Sequence, residues 1–459
     1  MKINIKDFHH IYMIGIGGIS MSGIAEILRK WNYEVSGSDW AKSGQTEWLE
    51  KNGIKVNIGH IAENINSDID LIVYTAAVKE DNQELIRAKE LGIPTIERGE
   101  FLGELTKLFK DTIGVAGTHG KTSTSSMVAN CFLEANLDPS IQIGAVLKSI
   151  NGNYRVGNSD YFIIEACEYC ESYLNFHQRS AIVLNIDDDH LDYFKNIDNI
   201  KKSFEKYVAL LPENGYLVLN RDDERCYDLR NYTKANVITV GASDNADWSY
   251  KNVTYNDDGY PTYDAYKNGE FKGSITLSVT GTHNVFNSLC CIALCDAYGI
   301  DIETMAKALI KFDGASRRLE YKGMLNGAKV YDDYGHHPTE IAATVKGIKN
   351  KKYNESWVVF EAHTYSRLNS HLKEFAESLI HFDHIILIDI YAAREINEFD
   401  IHETDLINEI NKLGKDAIHI SDHDEVIDYL KDNVKENDII LTLGAGNVTK
   451  IANKIKEMN

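Results

Sequence analysis

Gly117-Thr118-His119-Gly120-Lys121-Thr122-Ser123 is the segment whose residue types are best suited to chemistry. Two glycines let backbone N–H groups curl around a phosphate at the positive end of a helix. Lys121 supplies a point charge, and a hydroxyl such as that of Thr122 can meet Mg²⁺. The general phosphate-loop pattern asks for a glycine where this chain has Val115, and Gly114 lies one residue further back. A chance Gly-Lys-Thr in a loop is the competing reading. The flanks argue against it: an apolar run, Thr112 to Ala116, precedes the loop. Met127, Val128, Cys131, Phe132 and Ala135 follow it at helical spacing.

Two further apolar runs end in groups that could face such a loop. Tyr161 to Ile164 leads into Glu165, and Ala181 to Ile186 leads into Asp187, Asp188, Asp189 and His190. In a parallel sheet the C-terminal strand ends share one edge, where ligands bind. Carboxylates there suit Mg²⁺, a hard ion that prefers oxygen, with His190 a less usual partner. The same aspartates could instead be solvated or cap the next helix. Asn284 and Asn287 lie three apart on a helix after Gly281-Thr282-His283, off the Val285/Leu289/Ile292 stripe, so they form either a polar pair facing a nucleotide or a surface face. Arg317-Arg318 could reach phosphates or be solvated. Asp332-Asp333-Tyr334-Gly335-His336-His337-Pro338 follows a strand and precedes a helix, a density of polar groups that packing alone does not explain. Near the N-terminus, Gly15-Ile16-Gly17-Gly18-Ile19-Ser20 resembles a dinucleotide-binding turn with Ser20 in place of the third glycine. Asp39 stands where a ribose-binding acid often sits.

The elements that must position these groups alternate between strand and helix along most of the chain, the pattern of parallel sheets covered by helices. Strands are expected at 10–16, 33–36 and 69–74, with helices at 20–31 and 83–91. The rhythm pauses over 98–110, placing a boundary near 108. A second unit opens with the strand 112–116 and includes a polar, Tyr-rich, alternating stretch at 242–278 that reads as antiparallel hairpins. A boundary near 316 follows. Beyond it, strands near 328–332, 357–361, 384–390, 416–420 and 438–443 alternate with helices. The expected domains are 1–108, 109–316 and 317–459, all α/β, the central one a mostly parallel sheet with a small antiparallel part.

The 459 residues are 43% hydrophobic and 25% charged, enough to bury a core without disulfides. No apolar run approaches the ~20 residues of a membrane helix. The N-terminus has no signal-peptide core, so a cytoplasmic protein is expected. A formal charge of −21 argues against a general nucleic-acid or membrane-surface binder. The seven cysteines fit reduced thiols. Cys167 and Cys170 have C-x-x-C spacing with no second pair nearby, so small buried or wall-lining residues are favoured over a zinc or redox site.

In order and spacing, these segments resemble the Mur ligases, ATP-dependent amino-acid ligases of peptidoglycan precursor synthesis. The resemblance rests on GIGGISMSGIA (15–25), SGSD (36–39), GTHGKTS (117–123), EACEYCESY (165–173), NIDDDHLDYF (185–194), GTHNVFN (281–287), RRLE (317–320), DDYGHHPTE (332–340), HTYSR (363–367) and GAGN (444–447). It implies Rossmann-like N- and C-terminal domains around a central P-loop ATPase-like domain. It also implies ligation of L-alanine to the lactyl carboxylate of UDP-N-acetylmuramate through an acyl phosphate, with ATP and Mg²⁺, by a monomer or homodimer. Gly117 to Ser123 (Gly117, Thr118, His119, Gly120, Lys121, Thr122, Ser123) would bind ATP, and Thr122, Glu165 and His190 would hold magnesium. Asn284, Asn287, Arg318 and Asp333 match nucleotide-contacting positions. Gly15, Gly17, Gly18, Ser38, Asp39, Thr75, Ala76 and Ala77 would hold the UDP-sugar. Tyr334, His336, His363 and Arg367 would line the amino-acid pocket. Thr364 stands where relatives often carry Arg, and Asn447 where Asp is common. The resemblance also implies that the third domain closes onto the second.

Overall fold

A computed structural model describes residues 3–458 except 76, 315 and 394. Internal contacts divide the chain into two compact units. The first comprises Met1–Tyr250, Ala265–Gly273 and Asn287–Ala308; the second comprises Lys251–Asp264, Ser274–Phe286 and Leu309–Asn459.

Three sheets carry the fold. The first contains β1 (His10–Ile14), β2 (Glu34–Asp39), β3 (Lys55–Ile58), β4 (Leu71–Tyr74) and β5 (Thr95–Glu97), in the order β3-β2-β1-β4-β5, every pair parallel. The order reverses beside β1, so the loop after β1 opens at the crevice where such sheets bind ligands. The second sheet contains β6 (Asp111–Ala116), β7 (Ser140–Leu147), β8 (Gly152–Arg155), β9 (Tyr161–Glu165), β10 (Ser180–Val183), β11 (Tyr216–Asn220), β12 (Asn236–Gly241), β13 (Trp248–Tyr255), β14 (Pro261–Lys267) and β15 (Glu270–Thr276). Its order is β15-β14-β13-β12-β11-β10-β6-β9-β7-β8. The third contains β16 (Glu320–Leu325), β17 (Ala328–Asp333), β18 (Ser356–Phe360), β19 (His384–Leu387), β20 (Ala417–His419) and β21 (Ile439–Leu443), in the order β16-β17-β21-β18-β19-β20, parallel apart from β16.

Strands β6, β10, β18 and β21 are buried at every residue, as expected of strands without polar alternation covered on both faces. Cross-strand pairs Thr262–Thr276 and Asp264–Ser274 keep a constant sum of residue numbers. They mark β14 and β15 as an antiparallel hairpin, as the alternation predicts. Local signals also set helix ends. Asn82 accepts from Glu84 and Leu85 to start the helix Gln83–Leu91, and Gly92 closes it in the left-handed region.

The structure departs from the sequence reading at several elements: strand β2 runs on to Asp39, past the expected end at 36, and β13, in the stretch expected to form antiparallel hairpins, pairs in parallel with β12. Residues Arg98–Thr106 form a helix where the rhythm was expected to pause, started by Glu97 accepting from the Gly99 N–H. Strand β10 ends at Val183, so Leu184 to Ile186 already belong to the loop. Strands β3 and β5 are short, and no apolar run announces them. No helix among the described residues is long and apolar enough to cross a membrane.

Candidate functional site

The loop between β6 and the helix Lys121–Glu134 turns through Gly117 and Gly120, at φ 130° and 85°. A Cβ on Gly117 would sit 3.0 Å from the Leu184 backbone N. One on Gly120 would sit 3.1 Å from the Asn287 amide and 3.2 Å from Leu184 Cδ1. Both positions thus require glycine twice over, by conformation and by space. Asn185 clamps the loop, accepting from the His119 N–H at 2.8 Å and donating to the His119 carbonyl at 3.0 Å. Asp187 lies 3.1 Å from His119 Nε2, and its own N–H donates to Thr118 Oγ1. Asp187 therefore fastens the loop.

Lys121 Nζ donates to the carbonyls of Gly117 and Thr118 and pairs with Glu168 at 2.9 Å. Burial alone would lower its pKa; Glu168, Cys167 and Glu165 outweigh that and hold the ammonium above its usual range. Thr122, at the helix start, donates to Glu165 at 2.8 Å, and the Gly144 N–H donates to the same Glu165 oxygen at 2.9 Å. Strands β6 and β9 pair in parallel with Val115 opposite Glu165, which brings carboxylate and hydroxyl to one sheet edge. Ser123 lies half-buried in the first helical turn. His190 occupies the left-handed region at φ 51°, with its ring 4.8 Å from that of Tyr169. An all-oxygen pair of hydroxyl and carboxylate beside a lysine suits a hard divalent ion and a phosphate. Asn287 is buried beside Gly120, so at that position the surface-face reading does not hold.

In the first sheet, Gly15 (φ 81°) donates to the Ser38 carbonyl, and Gly17 N–H donates to Asp39 Oδ2 at 2.8 Å. Gly18 precedes the helix Ile19–Lys30 as its cap. Ser38 is buried and donates to Glu84, which also accepts from Tyr12 and Asn64. Thr75 lies at the end of β4, close enough to Gly15 that a Cβ there would meet its methyl at 2.7 Å. Ala77 is exposed, and Ala76 lies outside the described residues. Ser20 has a packing role. Its hydroxyl accepts from Gln142 at 3.0 Å and Arg98 at 3.2 Å, tying the glycine turn to β7.

In the second unit, Asp333 is buried and accepts from Leu319 N–H (2.7 Å), Gly335 N–H (2.8 Å) and Thr344 Oγ1 (3.2 Å). Burial pushes its carboxyl up to about 6 despite the opposing pull of Arg318. Arg318 pairs with Glu340 at 3.3 Å. Arg317 is not solvated: it donates to the Gly444 and Ala445 carbonyls and lies 3.4 Å from the buried Asp332. Asn284 is buried and donates to the Thr280 carbonyl. Tyr334, His336, His363 and Arg367 form one chain of contacts. The Tyr334 and His336 rings are 5.3 Å apart, and those of His336 and His363 are 5.5 Å apart. Arg367 donates to the His363 carbonyl at 2.7 Å. Burial, then His336 and Arg367, push the His363 ring down to about 4, leaving it neutral.

Sequence reasoning overlooked Glu168, Asn185 and Glu340 as partners. Glu168 and Asn185 stand inside the quoted motifs, Glu168 three residues after Glu165, a spacing that could have marked it. Glu395 was also overlooked; it accepts from Thr364 and Ser366. Cys167 is pushed up to about 11 by burial and Glu168, and Cys170 is exposed. Among the described residues neither belongs to a group able to hold a metal.

Family models match the chain in three segments: the Mur ligase family catalytic domain over 10–110, the Mur ligase middle domain over 115–295, and the Mur ligase glutamate ligase domain over 317–446. Curated relatives include the UDP-N-acetylmuramate–L-alanine ligase of Acetivibrio thermocellus, 47% identical over 97% of this chain and 95% of that protein. The enzyme of the same name from Caldanaerobacter subterraneus is 44% identical over the full length of both. The crystal structure of UDP-N-acetylmuramate–alanine ligase from Thermotoga maritima superposes with a TM-score of 0.83 at 28% identity, covering 98% of each chain. A murein peptide ligase from Psychrobacter arcticus shares the fold, with a TM-score of 0.71 at 24% identity over 97% of this chain and 98% of that one. The fold is thus a three-domain α/β arrangement of mostly parallel sheets with a small antiparallel part.

Proposed function

The chain belongs to the Mur ligase family, and we propose that it ligates L-alanine to the lactyl carboxylate of UDP-N-acetylmuramate, using ATP, in peptidoglycan precursor synthesis. The observation that carries the chemistry is the meeting of the Lys121 ammonium, the Thr122 hydroxyl and the Glu165 carboxylate at the ends of β6 and β9.

A carboxylate resists attack by an amine until its leaving oxygen becomes phosphate. Transfer of a phosphoryl group to it gives an acyl phosphate. The amine of L-alanine attacks that carbonyl, and phosphate departs as the amide forms. Two anions must first be brought together, and Lys121 with the N–H groups of the 117–123 loop offsets their repulsion and the charge that develops. Mg²⁺, which Thr122, Glu165 and His190 would hold, would supply further charge neutralisation on the phosphates. The acyl phosphate already stores the activation, so no covalent enzyme intermediate is needed.

Asn284, Asn287, Arg318 and Asp333 are assigned to the nucleotide. Gly15, Gly17, Gly18, Ser38, Asp39, Thr75, Ala76 and Ala77 are assigned to the UDP-sugar; Asp39 would also keep the glycine turn in shape through its bond to Gly17. Tyr334, His336, His363 and Arg367 are assigned to L-alanine. Domain boundaries at 108/109 and 316/317 accompany this reading.

The test is phosphate release by purified protein with ATP, Mg²⁺ and UDP-N-acetylmuramate, with L-alanine, glycine, L-serine or a tripeptide supplied in parallel. Release strongest with L-alanine, with the amide product identified by mass, is the expected result. Release only with the tripeptide would reassign the protein as a ligase of preformed peptides, and no release with any acceptor would overturn the reading.

A further inference from the structure

Away from the loop, Cys131 on the helix Lys121–Glu134 and Cys291 and Cys295 on the helix Thr282–Ala297 bring three sulfurs together. Cys131 Sγ lies 3.6 Å from Cys291 Sγ, which lies 3.8 Å from Cys295 Sγ, and all three residues are fully buried. One turn of helix separates Cys291 from Cys295, so both side chains leave the same face. Ligands held about 2.3 Å from one centre stand about 3.8 Å apart in a tetrahedral array. Two of the three sulfur pairs are therefore already at that spacing, and all three sulfurs lie within 4.8 Å of one another, within reach of a single ion or metalloid. The flanking Val128, Phe132, Ile292 and Leu294 are buried and apolar.

Charge selects the ligand. Burial pushes the Cys291 and Cys295 thiols well up, and Asp296 acts in the same direction on Cys295. Cys131 is held below its usual range by hydrogen bonds with its two neighbours despite burial and Glu134, so the cluster accommodates one thiolate and disfavours further charge. Three thiolates around a monovalent ion leave two negative charges, and around a divalent ion they leave one. Zinc also demands a fourth ligand, and the cluster contains only three among the described residues. A trivalent thiophilic centre with three thiolates is neutral and satisfied at three-coordination.

We propose that Cys131, Cys291 and Cys295 form a binding site for a trivalent thiophilic metalloid, for which arsenite is the probe. Neutral arsenous acid would enter by local opening of the two helices. Three As–O bonds break and three As–S bonds form; each thiol proton leaves with a hydroxide as water, so three waters are released and nothing is oxidised or reduced. The site would tie the helix that begins at Lys121 to the helix that carries Asn287. Binding there does not depend on the ligase reading, so the two stand or fall separately.

The experiment loads the full-length reduced protein with arsenite, removes excess by gel filtration, and counts arsenic per chain by elemental analysis and native mass. The exposed Cys170 is a competing thiol, so Cys170→Ala serves as control. One arsenic per chain is expected in wild type and in Cys170→Ala, none in Cys131→Ala or Cys295→Ala. X-ray absorption at the arsenic edge of the loaded wild type should report three sulfur neighbours, a reading that needs no variant to fold. The melting temperature of loaded wild type should rise, since only the folded chain presents the trio. Two sulfur neighbours, arsenic retained by Cys131→Ala and lost by Cys170→Ala, or no retention by folded wild type would each overturn the proposal. Stoichiometric zinc retained in place of arsenic would do the same.

Discussion

The Lys121 ammonium lies 2.9 Å from a carboxylate oxygen of Glu168, a side chain only 2% exposed. The lysine is thus held by its own loop and by a buried acid, and an anion entering the loop competes with Glu168 for it. The pair keeps the ammonium charged despite burial, the state needed to receive a phosphate.

Removing either partner should therefore have different consequences. Lys121→Ala should lower turnover by orders of magnitude with the fold intact, as judged by circular dichroism. Glu168→Gln leaves a buried ammonium without its counter-charge, a loss of about 3 kcal/mol when one member of a buried pair is removed. Phosphates would restore the missing charge. The melting-temperature gap between wild type and Glu168→Gln should accordingly shrink when ATP and Mg²⁺ are added. A gap that stays constant would mean that the lysine does not pass from Glu168 to the nucleotide.

Gly120→Ala tests the shape of the loop. The substitution forces a Cβ at φ 85° against the Asn287 amide and Leu184. The strain alone is about 1–2 kcal/mol, and Asn287 must move. The expected outcome is a raised KM for ATP with little change in the KM for L-alanine. Equal changes in both would show that the loop does not act on the nucleotide alone.

Much of this was legible because it is local. A glycine-rich turn after a wholly apolar strand and before a helix identifies itself, and Lys121, Thr122 and Glu165 follow from position at strand ends. Pairings across long sequence separations were not legible. Glu168 meets Lys121 across a loop with two residues in the left-handed region, Cys170 and Glu171, which no periodicity announces. Ser20 read as a defective nucleotide turn, because its partner Gln142 lies in another sheet. The helix Arg98–Thr106 was missed because Gly99 and Gly103 dilute its pattern. Gly103 is nevertheless required there: a Cβ would sit 2.4 Å from the Asn175 carbonyl oxygen.

Asp333 should set an acid limb on activity. Its carboxyl is raised to about 6, chiefly by burial, against 3.8 for the ordinary group. A raised carboxyl favours the folded state when protonated. That contribution is complete below about 3.8 and is lost as pH rises through about 6, so at neutral pH the ionised form is maintained at a cost in stability. If the ionised form is the one used, kcat/KM for ATP should fall as pH drops through about 6. Asp333→Asn should be poorly active and lack that limb, with the limb read from initial rates of phosphate release between pH 5 and pH 8, a window spanning about 6. An unchanged limb in Asp333→Asn would assign it to another group.

Arg367 should decide affinity for the amino acid. His363 is held neutral near 4, so at working pH its ring brings no charge. The guanidinium that donates to the His363 carbonyl supplies a cation at that end of the cluster, while Arg317 and Arg318 lie over the Tyr334 ring at the other. The depressed imidazole also contributes stability that is fully present above pH 6.5 and lost as pH falls toward about 4. Arginine can offer a carboxylate two parallel donors, whereas lysine offers one point charge. Arg367→Lys should therefore raise the KM for L-alanine by roughly 10- to 100-fold, the equivalent of losing one charge-assisted hydrogen bond of about 1.5–3 kcal/mol. The KM values for ATP and UDP-N-acetylmuramate should stay within about twofold, since uniform loss of binding to one substrate leaves the others untouched. Steady-state kinetics with each substrate varied in turn measures all three. A rise confined to ATP would move Arg367 to the nucleotide, and no rise in any KM would remove it from the substrate sites.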